Sequence, residues 1–269
     1  MVKAESAQPN TAATLNEDRI LMAERLRARQ EAEDRRRARI RRIVTAVMIL
    51  VLVPTVIAVG MLEWQDRHFY IVSALIILFS VVPFFLVFEK RRPRARELTL
   101  IAVMVALGVA GRAAFYMLPQ FKPVVAIVIV AGCSLGCEAG FITGALTAFV
   151  SNMFFGQGPW TPYQMFALGL VGFLTGVLFR SEIKTKLGVF LLCCYGAAAS
   201  VLIYGFIMDT AYVFMAGQNL SWAALGAAYA SGIVFNLILA GATVLFLLVL
   251  AKPLLNKLAR IKKKHGVFR

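Results

Sequence analysis

Acidic residues and histidines are scarce. Only 14 acids stand against 29 lysines and arginines in 269 residues, and the two histidines, His68 and His265, are far apart in sequence. Carboxylates, imidazoles and metal ligands facing one cavity are what an intramembrane enzyme would need. The apolar stretches supply little beyond an isolated Glu138. The four cysteines, Cys133, Cys137, Cys193 and Cys194, all sit inside apolar runs. Thiols there act as small apolar residues, and a CxxxC with no histidine nearby is a poor metal site. No GxxxxGK[ST] occurs, so the chain has no P-loop with which to hydrolyse ATP. No cofactor and no metal are expected. A cleavable signal pattern is missing too. The first apolar run follows 42 mostly polar residues, which suits an uncleaved first helix.

What the chain has in abundance is apolar sequence. Hydrophobic residues make up 60%, where soluble domains sit near about half. The runs are long and do not alternate, which excludes a transmembrane β-barrel and predicts an all-α polytopic membrane protein. Eight spans are predicted, at 43–62, 69–88, 98–118, 123–137, 139–155, 164–180, 187–208 and 227–250. The stretch 123–155 is too long for one span and short for two. Glu138, between Gly136 and Gly140, suggests two short helices joined by a tight turn.

Charge placement tests that division. Nearly all Lys and Arg fall in four segments, 1–42, 89–97, 180–186 and 252–269. With eight spans all four lie on one side, which the positive-inside rule makes cytoplasmic. The predicted location is the plasma membrane, multi-pass, with both termini inside. Residues 1–42 mix acids with the bases at helical spacing and suit a charged helix near anionic headgroups. No nucleic-acid-binding module accompanies the charge.

On this topology "GQGPWTP" (156–162), "PQFKP" (119–123) and "DTAYVFMAGQNLSWA" (209–223) face outward. Trp160, Tyr163, Gln157, Gln164, Tyr212 and Gln218 suit a flat polar organic solute, with aromatic faces for stacking and amides for orientation. Anchoring at the headgroup level is the alternative for each aromatic. Asn152 and Asn236 suit helix–helix hydrogen bonding as well as ligand contact, and Asp209 could cap its span. In the third span Ala102, Ala106, Ala110 and Ala114 recur every four residues. The stripe lets another helix approach closely, either within this chain or from a partner. Arg112 lies about 140° around the helix from that stripe, with Tyr116 one turn on. At about 1.5 Å per residue from Leu98 it is about 21 Å into a core of about 30 Å. A charge at that depth must face protein, water or ligand, or snorkel outward. Besides Arg67 and Arg112, Lys122 is the remaining basic residue outside the four segments, and it belongs to the outer half.

The stretches "GRAAFYMLPQFKP", "GCEAGFITGALTAFVSNMFFGQGPWTPYQMFALGLVGFLTGVL" and "YGFIMDTAYVF" resemble the substrate-binding S components of energy-coupling-factor (ECF) vitamin transporters, over about 97–250. The resemblance implies a six-helix S-component-like bundle, here preceded by two extra transmembrane helices. It implies the divisions 1–42 (basic cytoplasmic segment), 43–96 (two additional helices with a basic loop), 97–251 (substrate-binding membrane domain) and 252–269 (basic tail). It further implies an outward pocket, a transmembrane coupling protein and two cytoplasmic ABC-type ATPases as partners, and Ala102, Ala106 and Ala110 as the face that docks on the coupling protein. The pocket candidates are Arg112, Tyr116, Lys122, Asn152, Gln157, Trp160, Tyr163, Gln164, Asp209, Tyr212 and Asn236. The expected role is capture of a vitamin or related micronutrient, with a large or ring-bearing one such as cobalamin suggested by the resemblance. The alternatives are a non-transporting membrane scaffold and an intramembrane enzyme.

Overall fold

A computed structural model describes residues 95–179, 183, 185–216 and 221–265, with isolated positions between 22 and 55. The chain divides into two compact units, Met1–Met48 and Ile49–Arg269. The expected spans 43–62 and 69–88 and the segment 1–42 lie outside the described residues apart from those isolated positions. Part of the basic loop 180–186, Gln218 and the last four residues lie outside them as well.

Among the described residues the structure is all-helical and forms six rods. They are α1 (Ala95–Ala114), α2 (Val124–Leu135), α3 (Cys137–Phe155), α4 (Thr161–Leu178), a composite rod of α5 (Lys186–Ala198), a π-helical turn (Ala199–Gly205) and α6 (Phe206–Met215), and α7 (Trp222–His265). Ala95–Ala114, Thr161–Leu178, Lys186–Met215 and Trp222–Lys264 are long and apolar enough to cross a membrane. The protein is therefore a multi-pass membrane protein.

The sequence explains which rod is central. In α2 every residue but Cys133 is buried, as expected of a helix that is apolar all round. Ile129, Val125, Val128 and Val130 of α2 stand with Met104, Val171, Leu192 and Leu247 among the most deeply buried side chains. The 123–155 stretch does divide into two helices. The break is at Gly136, whose φ of +97° favours glycine, and Glu138 lies in the first turn of α3.

Small residues set the tightest contact. A Cβ on Gly172 of α4 would fall on the Gly140 carbonyl of α3, and one on Gly144 would meet the Leu168 carbonyl of α4. In lipid such close approach supplies the dispersion contacts that hold helices together. Buried hydroxyls are satisfied locally. Thr143, Thr147 and Thr175 donate to the carbonyls of Ala139, Thr143 and Val171, four residues back, so none confronts lipid unpaired.

Lys262 Nζ donates to the Ser134 carbonyl oxygen at 2.6 Å, tying the basic end of α7 to the C-terminus of α2. The connectors 115–123 and 156–160 lie at the opposite end. The composite rod differs from expectation: helix continues through Met215, so the connection expected from 209 begins later, and Asp209 lies inside a helix rather than capping one. At 30 residues this rod is about 45 Å long, longer than a hydrocarbon core of about 30 Å. It must tilt or project beyond that core.

Candidate functional site

At the end of the bundle away from the α7 tail, three rods close around a polar cluster. Its centre is Asn152, fully buried near the C-terminus of α3. Arg112 Nη1 of α1 donates to Asn152 Oδ1 at 2.6 Å and to Ser151 Oγ at 2.7 Å. Asn152 Nδ2 donates to Thr161 Oγ1 at 3.0 Å and to Gln164 Oε1 at 2.8 Å, both on α4. Ser151 Oγ donates to the Ala148 carbonyl at 3.1 Å. One amide thus joins three helices, and its orientation is fixed by what it bonds. The guanidinium also lies 5.2 Å from the centroid of Phe155, a cation–π contact. Phe155 is backed by Tyr116 in a stack at 4.8 Å.

"GQGPWTP" is built to close this end. Gly156 has φ +106°, and Trp160 lies over Gly158 so closely that a Cβ there would enter the indole. The Gly158 amide donates to Thr161 Oγ1 at 3.3 Å, and the Thr161 amide to the Gly158 carbonyl at 2.9 Å. Pro162 opens α4, where its missing N–H costs nothing.

Beside the cluster is a cavity of about 100 Å³ lined by Arg112, Lys122, Gln120, Gln164, Ser151 and Tyr204, with Val124, Val125, Leu168 and Leu239 as its apolar wall. Three features of the chain aim residues into it. Gln120 has φ +54°, a conformation rare outside glycine and Asn/Asp that clusters at functional sites. Tyr204 comes from the π-helical turn, and such turns frequently occur at functional sites. Lys122 stands in the α1–α2 connector. Burial first, and then the Arg112 charge, hold its ammonium below the usual lysine pKa.

Of the candidates expected from sequence, Arg112, Lys122 and Gln164 line the cavity. Asn152 and Tyr116 stand behind it, through Arg112 and Phe155. The others lie elsewhere. Tyr163 is buried in the bundle, Trp160 is at the rim, and Tyr212 is exposed. Gln157 is exposed and donates to the Phe149 carbonyl at 3.2 Å. Asp209 accepts from Asn236 Nδ2 at 2.7 Å, about one and a half turns beyond Tyr204. Gln120, Ser151 and Tyr204 were missed by sequence reasoning, although Gln120 lies in "PQFKP", Ser151 precedes Asn152, and Tyr204 opens "YGFIMDTAYVF".

On α1 the faces separate. Ala102, Ala106, Ala110 and Ala114 are all exposed, whereas Arg112 is half-buried. The alanine stripe therefore carries no helix of the described bundle.

The family model for the substrate-specific component of ECF transporters matches residues 96–254, more than half of the chain and nearly the whole described bundle. No curated protein and no solved structure matches significantly. With its apolar rods, its polar cavity and this match in hand, the chain belongs to the family of ECF transporter substrate-specific components.

Proposed function

We propose that this chain captures a vitamin or related small organic micronutrient at the outer face of the plasma membrane and hands it to an uptake system energised by separate subunits. Membership in the family makes it a substrate-binding transport subunit, not an enzyme. The observation that carries the finer reading is the cavity: a small chamber with a polar side and an apolar wall, at the end of a membrane bundle. Convergent polar groups against an apolar wall are the usual make-up of a small-molecule site.

The positive-inside bias supports placing that end outside and both termini in the cytoplasm. Lys252, Lys257, Arg260 and Lys262–Lys264 crowd the opposite end of α7. The division into a basic segment (1–42), two added helices (43–96), a six-helix substrate domain (97–251) and a basic tail (252–269) fits this reading. The exposed Ala102, Ala106 and Ala110 suit close approach by a transmembrane coupling protein, which would in turn engage two cytoplasmic ABC-type ATPases. A chamber of about 100 Å³ favours a solute much smaller than cobalamin.

The test is reconstitution. The chain should copurify with ATPase subunits through a coupling protein, and proteoliposomes holding the complex should accumulate substrate only with ATP. Tight solute binding by the isolated chain, with no partner recovered under any condition and no ATP-dependent uptake, would refute the transport role.

A further inference from the structure

The hydrogen-bond directions around the cavity say more than its size. Resting on the reading of this chamber as the substrate site, we infer that its substrate is an organic oxyanion, a carboxylate or phosphate monoester, seated between Arg112 and Lys122. Three acceptors at or beside the cavity are already engaged from within. Asn152 Oδ1 and Ser151 Oγ both receive Arg112 Nη1. Gln164 Oε1 receives Asn152 Nδ2, which turns the amide nitrogen of Gln164 toward other partners. Ser151 spends its own proton on the Ala148 carbonyl.

Donors are left over. Among the described residues, Arg112 Nε and Nη2 and the Lys122 ammonium carry no hydrogen bond to protein, and no carboxylate lines the chamber. Nε and Nη2 form the fork that grips a carboxylate or phosphate through two parallel bonds. The two α3 acceptors on Nη1 fix the plane of that fork before any ligand arrives. Two cations with neutral partners, in the outer part of a membrane bundle, are costly until an anion joins them. A cationic solute would meet two like charges here. The apolar wall of Val124, Val125, Leu168 and Leu239 suits the carbon body of such a solute. An enclosed cavity of roughly 150 Å³ holds a benzene-sized ring, so this chamber takes the anionic head and the adjoining carbons, with any larger body lying toward the loops.

The experiment uses the full chain in nanodiscs, with binding measured calorimetrically for matched solutes: nicotinate against nicotinamide, biotin against biotinamide, pantothenate against pantothenol, pyridoxal 5′-phosphate against pyridoxal, and thiamine as a cation. Native mass spectrometry identifies any solute retained from the cell. An acid binding about 10- to 100-fold tighter than its neutral partner is expected. Lys122→Gln should remove most of that preference, read as the ratio of acid to neutral affinity. Lys122 makes no hydrogen bond to the described protein, so this variant keeps the fold even where Arg112→Gln disturbs it. The pyridoxal pair separates phosphate from carboxylate recognition. Preference for thiamine or a neutral solute, or equal binding of acid and amide, overturns the oxyanion assignment and leaves the transport role standing. A folded chain that binds and retains no solute of any charge removes both.

Discussion

Asn152→Ala is the sharpest perturbation of this site, because Asn152 supports the cavity without lining it. The change deletes an acceptor from Arg112 and donors to Thr161 and Gln164. A hydrogen bond to a charged group contributes about 1.5–3 kcal/mol and a neutral one about 0.5–1.5 kcal/mol. Arg112 keeps Ser151, and Thr161 keeps the Gly158 amide, so the loss falls toward the low end, at about 3 kcal/mol. At about 2–4 °C per kcal/mol for a domain of this size, the thermal midpoint should drop by roughly 6–12 °C. Solute affinity should fall about tenfold or more, because the guanidinium and the Gln164 amide lose their set orientation. Asn152→Asp is the discriminating partner. It keeps an acceptor for Arg112 but adds a counter-charge, so it should melt closer to the parent while binding an anionic solute worse than Asn152→Ala does. The readouts are thermal unfolding by intrinsic fluorescence and calorimetric binding on the same samples. If both variants melt and bind as the parent does, the Arg112–Asn152–Gln164 network does not organise the site.

Ala106→Leu should leave solute binding within about twofold and block ATP-driven uptake, since a larger side chain on the exposed stripe prevents close helix approach; normal uptake would show that this stripe is not the docking face. Gly172→Ala places a methyl against the Gly140 carbonyl and should destabilise the bundle by about 1–3 kcal/mol, read as a lowered thermal midpoint with the α1 stripe untouched. Binding of an anionic solute should weaken as pH rises. Lys122 starts with a lowered pKa, and only its charged form attracts the anion. Affinity is therefore full below that pKa and falls as pH rises through it, while Arg112 stays charged and Tyr204 is the other titratable group on the cavity wall. Calorimetry across pH should show this fall for the parent and a flatter profile for Lys122→Gln.

The elements were more legible in the sequence than the site. The helix pair inside 123–155 could be read because glycine and an acid interrupt an apolar run, and the structure places the break at Gly136. Arg112 could be read because a charge at that depth demands a partner. The aromatic and amide residues of the loops expected to face outward misled in part. Their position in short polar connectors places Trp160 and Gln157 at a bundle end, but the facing of each depends on turn geometry: Trp160 is spent covering Gly158, and Gln157 on a backbone carbonyl. Tyr204 could not be found by counting at 3.6 residues per turn, because the π-helical turn that carries it shifts the phase of every face beyond it. Gln120 enters through a positive φ, which the sequence gives no reason to expect at glutamine.

These details bear on how the proposed binding and docking faces share α1. Its Arg112 side is pinned to α3 by two charge-assisted hydrogen bonds, its alanine side is exposed, and the connector that follows carries Gln120 and Lys122 into the cavity. An anion bridging Arg112 and Lys122 would tie the end of α1 to the start of α2, the helix buried on all sides. Occupancy would then change the stiffness of that corner without needing to reshape the core. A partner seated on Ala102, Ala106 and Ala110 rests on the same 20-residue rod. Any difference in its affinity for the loaded and empty states has to be matched by an equal difference in substrate affinity with and without the partner. Should a partner dock on the alanine face, the separation of the two faces on one helix would let solute and partner binding be coupled through the rod while keeping their side chains apart.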